Sequence, residues 1–388
     1  MRVAVVGAGV VGASVARELV LRGANVTMFE QDHPGAGTSG TSFAWINSHE
    51  KRPDSYHRLN VAGCAEHERF AAAAKGSQRW HFATGNLVWA ESATERDVLE
   101  RRVKRLEHHG YPCRWLDPND VRLLEPDVRV PPSVERVAYF VGEGYVLPTL
   151  LLARLLGEAR DRGAELRYPA RVRSVEPNKH GVDLVVDGQR ERFDRVVSCV
   201  GRWTHDLVAT AGAHLPLVDP EEAGGPAVGF LAYTGPSLSR MSRVLTTPRI
   251  SIRPDGGGRL VLQALDLDTA ADPASPPGPG STESTILSER LGEVLTLGRS
   301  ATIESIRVGQ RVLPADGHTV AGFADEGEGL YVVATHSGVT LGPLLGRLVA
   351  AELLDHEESS LLADFRPDRF RDWDGAVTVA PTRGLGEQ

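Results

Sequence analysis

Hydrophobic and polar positions follow two periods along this chain, and the switches between them mark its elements. Residues 2–7 (RVAVVG) are an unbroken apolar run ending in glycine, the pattern of a strand buried on both faces of a parallel sheet. Helical spacing takes over at 10–22, where Val11, Val15, Leu19, Ala16 and Val20 form an apolar face and Gly23 supplies a stop. Residues 25–30 (NVTMFE) predict a second strand. The chain thus opens as a βαβ unit whose third strand must come from elsewhere.

A Gly- and Ser-rich loop fills 35–42, and 55–74 is helical in pattern. Short strands at 86–90 and 137–141 flank a charged helix near 94–109, whose Arg101, Arg102, Lys104 and Arg105 are expected on a solvated face. Residues 148–162 predict a helix with Pro148 near its start, followed by alternating strands at 164–187 and a buried strand at 195–201. From 225 to 267 the pattern is strand-like around the turn 254–258, and the Pro/Gly/Ser-rich stretch 270–283 reads as a mobile loop. A helix at 284–297, strands at 301–308 and 329–335, a turn at HSGV and an apolar helix at 340–354 complete the chain. No internal repeat occurs. Buried parallel strands at both ends and in the middle, with β-rich material between, imply two interleaved domains, and 388 residues exceed one ordinary core.

Composition narrows the function. Hydrophobic residues at 41% and charged residues at 24% describe a globular chain, and a net charge of −8 without a basic run argues against nucleic acid. Three scattered cysteines offer no disulfide framework, and Cys64-x-x-His67 lacks the second pair a metal would need, so no metal is expected. No run of about 20 apolar residues predicts a membrane span. With the first strand beginning at Arg2, no signal segment is read, and a cytoplasmic location is expected.

The chemistry begins at GAGVVG, residues 7–12. Gly7, Gly9 and Gly12 between a strand and a helix let the backbone turn tightly and approach a pyrophosphate, which the helix N-terminus at Val11 faces with its positive pole. Glu30, followed by Gln31, ends the second strand, where a carboxylate accepts hydrogen bonds from a ribose and repels a 2′-phosphate. NADP is thereby disfavoured, while NAD and FAD both remain open.

Four further blocks carry a resemblance: GAGTSG (35–40), the segment 144–176, VVSCVGRWT (196–204) and 329–354. In this order they resemble the D-amino-acid oxidase, glycine oxidase and sarcosine oxidase family of FAD enzymes. The resemblance implies an α/β fold, with a Rossmann-like FAD-binding domain (1–80, 148–210 and 306–388) interleaved with a smaller, mostly antiparallel β-rich α+β substrate domain (81–147 and 211–305). It implies that Thr38, Ser39 and Ser42 meet the FAD phosphates and ribityl, that Val172 holds adenine through its backbone, and that Gly201 and Trp203 lie beside the dinucleotide. Gly338, Val339 and Thr340 would meet the flavin N1–C2=O edge from a helix N-terminus, where negative charge appears on reduction. His336 would sit near the ring or pack at the strand end.

The same resemblance makes Arg311 a clamp for a substrate carboxylate, the alternative being a structural salt bridge. Where such amino-acid oxidases carry a tyrosine, matching the turns places Ser251 here, flanked by Arg249 and Arg253, which points to a larger pocket or a second anionic group. Trp45, Asn47, Ser48 and His49 follow the phosphate loop and could reach the flavin face or simply pack. Neither expected covalent anchor is in place, so non-covalent FAD is expected. The reaction implied is oxidation of the C–N bond of a small amine or amino acid by hydride transfer to flavin N5, with O₂ reduced to H₂O₂. A 2-hydroxy-acid dehydrogenase, a flavin-binding subunit of a larger oxidoreductase and a nicotinamide enzyme are the alternatives. Oligomeric state is left open.

Overall fold

The apolar strand Arg2–Val6 lies inside a six-stranded sheet. The computed structural model describes all residues except 75, 77, 374, 376–378 and 380–388. Across this sheet the strands run Val320–Phe323, Leu330–Ala334, Arg195–Ser198, Arg2–Val6, Asn25–Phe29 and Glu165–Arg167. All neighbours are parallel except the first pair. The missing third strand of the opening βαβ unit is therefore supplied on both sides, by Glu165–Arg167 and Arg195–Ser198.

An eight-stranded sheet stands apart from it, built from Cys113–Leu116, Val137–Phe140, Asn86–Val88, Val244–Thr246, Ser251–Pro254, Leu260–Gln263, Val228–Thr234 and Ile303–Gln310 in that spatial order. Only the Asn86–Val88 and Val244–Thr246 pair is parallel. The fold is α/β, with a parallel dinucleotide-type sheet and a mostly antiparallel one fed by alternating stretches of the chain. The strand Ile303–Gln310 runs whole within the eight-stranded sheet, because it pairs along its length with Val228–Thr234, so the expected boundary at 306 cuts a continuous strand.

Two helices govern the site. Val10–Leu21 follows the central strand, and Gly338–Asp355 follows Leu330–Ala334. The latter begins two residues earlier than the pattern suggests: Gly338 and Val339 form its first turn instead of a preceding loop. Leu341, Leu344, Leu345 and Leu348 pack with Val10, Ala13 and Val15 in one core, each leucine contributing about 1.5–3 kcal/mol. The helices leave no room for side chains where they cross: a Cβ on Gly342 would meet Val10 Cγ1 at 2.8 Å, and one on Gly346 would meet the Ser14 carbonyl at 2.6 Å. Because their strands are parallel members of one sheet, both N-termini open at its carboxyl edge, where such sheets bind ligands.

Candidate active site

Between these two N-termini lies a cleft of about 260 Å³. Gly7, Gly9, Val11, Glu30, Gln31, Thr38, Ser39, Ser42, Val172, Gly201, Trp203, Gly338 and Val339 line it, residues drawn from separate stretches of the chain. Gly7 adopts φ +100°, a conformation that disfavours a side chain, and a Cβ there would strike the Cys199 carbonyl at 2.5 Å. Neither N-cap residue, Gly9 or Ser337, caps its own helix with a side chain. The Val10 N–H donates to Ser39 Oγ at 3.0 Å, which fastens the loop to the helix pole. At the far end Glu30 accepts from the Ala8 and Asp32 N–H groups, both at 3.0 Å, leaving lone pairs toward the cleft.

Gly12 does not line the cleft. A Cβ there would lie 2.0 Å from the Gly7 carbonyl, so this glycine lets the helix close onto the preceding turn. Thr340 also faces elsewhere, donating from Oγ1 to the Trp45 carbonyl at 3.1 Å and lining a second, smaller space.

That space is a chamber of about 80 Å³ sharing Thr38, Ser42, His336 and Val339 with the cleft, so the two adjoin. Trp45, Asn47, Lys51, Leu231, Gln263 and Arg311 are among its other walls. Its lining contains two cations and no carboxylate. Burial first, then Lys51 and Arg311, hold the His336 pKa well below the ordinary imidazole value, so this histidine is neutral at pH 7. The arrangement suits a small anionic molecule set against whatever fills the cleft.

The family model described as FAD dependent oxidoreductase matches residues 2–352. The chain belongs to that family. Among curated relatives, glycine oxidase of Geobacillus kaustophilus (strain HTA426) is 26% identical over 372 residues, covering 94% of this chain and 95% of that protein. A subunit of the opine oxidase of Rhizobium meliloti is 23% identical, covering 94% and 96%. The crystal structure of glycine oxidase from Geobacillus kaustophilus superposes with a TM-score of 0.82 at 25% identity, over 94% of this chain and 98% of that one.

The cleft of this FAD-dependent oxidoreductase fits a dinucleotide on its own terms. Two helix poles whose N-cap residues supply no side-chain cap suit a pyrophosphate and an electron-rich ring edge, a carboxylate at Glu30 suits a ribose, and the close turn at Gly7 leaves no room for side chains. Trp203 closes one flank, with the Arg202 guanidinium 4.0 Å above its ring.

The residues expected to meet substrate are distributed unevenly. His336 lies where cleft and chamber meet, and Asn47 lines the chamber. Arg311 also lines it, but its guanidinium is largely committed: Nη1 donates to the Pro226 and Val228 carbonyls at 3.1 and 2.7 Å, and Nη2 to Asp268 at 3.0 Å. Its Nε–H and second Nη2–H have no partner among the described residues. Arg249 is misplaced as a site residue; it is half exposed and pairs with Glu293 on the surface, because the strand begins only at Ser251. Arg253 is buried, donating to the carbonyls of Phe43 and Pro254 and to Asp255, and so braces the loop without lining the chamber.

Sequence reasoning missed the wall made by Gln263 and Lys51. Gln263 pairs across the sheet with Ser251, so it shares that face and occupies the side on which a tyrosine was sought. Ser48 and His49 turn away into a knot around Glu143, a fully buried carboxylate. It accepts five hydrogen bonds, from the Ser48 and His49 N–H groups, His49 Nδ1, Tyr111 Oη and Asn86 Nδ2. Burial alone would raise its pKa, but His49 and the other donors hold it below the usual range. Arg105 donates to the His49 and Lys51 carbonyls, and Arg102 is buried against Glu50. These two arginines, expected in solvent, instead face inward and fix the loop that carries Asn47 and Lys51.

Proposed function

We propose that this chain oxidises the C–N bond of a small amino acid bound in the chamber with its reacting carbon toward the cleft. The observation that carries the reading is the junction at His336, where a dinucleotide cleft meets a small space lined by cations and no carboxylate. Glu30, Gln31 and Val172 would hold the adenosine end of FAD, the loop at Thr38, Ser39 and Ser42 its middle, and Gly338 and Val339 its flavin. When bound, FAD supplies the hydride acceptor that turns the amine into an imine.

The rest falls to the chain. The open Nε–H and Nη2–H edge of Arg311 is the right fork for a carboxylate, which it would receive as two parallel hydrogen bonds. Asp268 neutralises much of the charge behind that edge, so Arg311 orients more than it attracts. Neutral His336 places no competing cation beside the substrate amine and offers a ring nitrogen at the boundary. Trp45, Val339 and Leu231 keep the boundary apolar. A small chamber favours a small substrate.

The test is anaerobic reduction of the FAD-loaded protein by a panel of amino acids, followed by admission of O₂ and assay of H₂O₂. Flavin bleaching by amino acids but not by the matching amines supports the reading, and bleaching by 2-hydroxy acids alone overturns it. The similarity to a protein named as one subunit of an oxidase favours one second reading, in which a partner takes the electrons. Bleaching without peroxide on adding O₂ would select it.

A further inference from the structure

The chamber contains a cation that the reading above leaves unused. Lys51 lies in its lining, is 92% withdrawn from solvent (8% exposed), and makes no ion pair among the described residues. Its ammonium sits 5.9 Å from the centre of the Tyr56 ring, whose hydroxyl bonds Ser337 Oγ at 2.8 Å, next to the pole of the helix beginning at Gly338. Its backbone is not free to swing the side chain away: Arg105 holds the Lys51 carbonyl at 3.2 Å, and the Lys51 N–H reaches the Ser48 carbonyl at 3.2 Å.

A lysine so largely withdrawn from solvent is poorly compensated without an anion beside it, and a ring face repays only part of that cost. The other cation of the chamber has its counter-ion, Asp268. Nothing in the lining supplies one for Lys51, since Thr38, Asn47, Gln263 and their neighbours are neutral. A monocarboxylate held by Arg311 would leave Lys51 unanswered.

We infer that Lys51 receives a second anionic group of the substrate, and that this oxidoreductase acts on an amino acid carrying two carboxylates, one at the Arg311 edge and one at Lys51. This rests on the amino-acid reading proposed above and narrows it. The structural basis is the placement of an unpaired buried lysine and an arginine with one edge still open on the walls of the same small chamber.

The experiment uses the FAD-loaded full chain and reads binding apart from turnover. Thermal stabilisation and perturbation of the flavin spectrum are titrated with glutarate and with butyrate, which differ by one carboxylate. Reductive bleaching is compared for aspartate and alanine, both enantiomers of each. Wild type is expected to favour the diacid by at least about tenfold, the scale of one added charge-assisted contact. Lys51→Gln should bring the diacid down toward the monoacid, and Lys51→Arg should keep much of the preference; flavin content verifies that both variants fold. Equal binding of diacid and monoacid by wild type, or a preference unchanged in Lys51→Gln, overturns the role of Lys51 while leaving the amino-acid reading intact. Absence of binding by every carboxylate overturns both.

Discussion

Arg311 and Asp268 form an ion pair at the chamber wall, Nη2 to Oδ2 at 3.0 Å, with the aspartate fully buried. The arginine therefore has a structural partner as well as an open edge, and its removal acts on both. Arg311→Ala is expected to lower stability by about 3–5 kcal/mol, because a buried carboxylate loses its counter-charge. Adding Asp268→Asn should recover part of that loss, so the double variant costs less than the sum of the singles in denaturant unfolding. Turnover should stay depressed in the double variant. Additive stability losses would mean the pair is not coupled.

The purified protein should be yellow, and acid precipitation should leave the flavin in the supernatant. Cys199 is the cysteine that lines the cleft, and burial holds its thiol protonated and unreactive. Flavin that pellets with the protein would show a covalent link.

Glu30→Ala should weaken FAD binding by about 1–3 kcal/mol, roughly 5- to 150-fold, the range for a hydrogen bond to a charged group. Glu30→Gln should lose less, since its carbonyl can still accept one of the bonds now made by Ala8 and Asp32. Equilibrium dialysis of the apoprotein against FAD measures both. Unchanged affinity in Glu30→Ala would remove the carboxylate from the ribose site.

His67 and His81 stack 5.6 Å apart, and each has its pKa lowered from 6.5 to about 4. For His67 burial is the main cause; for His81 burial is followed by His67 and Arg79. The unfolded chain thus takes up these protons first. Stability is intact above pH 6.5 and falls between 6.5 and about 4, by up to roughly 1.4 kcal/mol per pH unit for each histidine. Denaturant unfolding from pH 7 to 4.5 should show a shallower slope in His67→Gln. An identical slope would show that His67 is not the group being protonated.

The dinucleotide half was legible because its requirements are local. A turn that tolerates no Cβ at Gly7, a carboxylate one strand later at Glu30 and an apolar helix after Ala334 are each written in a few adjacent residues. The chamber was harder to read because its walls meet only through tertiary packing. Arg249 and Arg253 lie four residues apart beside the same turn, yet one pairs with surface Glu293 and the other is buried against Phe43 and Tyr145. Spacing alone does not say where a strand begins. Arg102 and Arg105 were read as solvated because their helix is rich in charge, although its inner side carries the bonds that hold residues 48–51. Lys51 did leave a faint sign: only four of the 43 cationic residues are lysines, and this one closes the segment 43–51 that follows the phosphate loop.

The glycine seam between the two pole-bearing helices sets a limit on how this sequence can drift. Leucines 341, 344, 345 and 348 can be exchanged for other apolar residues if their neighbours shift to match. Gly342 and Gly346 have no such latitude, for the atoms they would strike belong to Val10 and to the main chain at Ser14. A methyl group at either place would wedge one helix from the other and turn both poles off the cleft, and at Gly346 it would do so without touching a single residue that lines it. Lost cofactor in a Gly346 variant would be an injury at a distance, carried to the cleft by the helix itself.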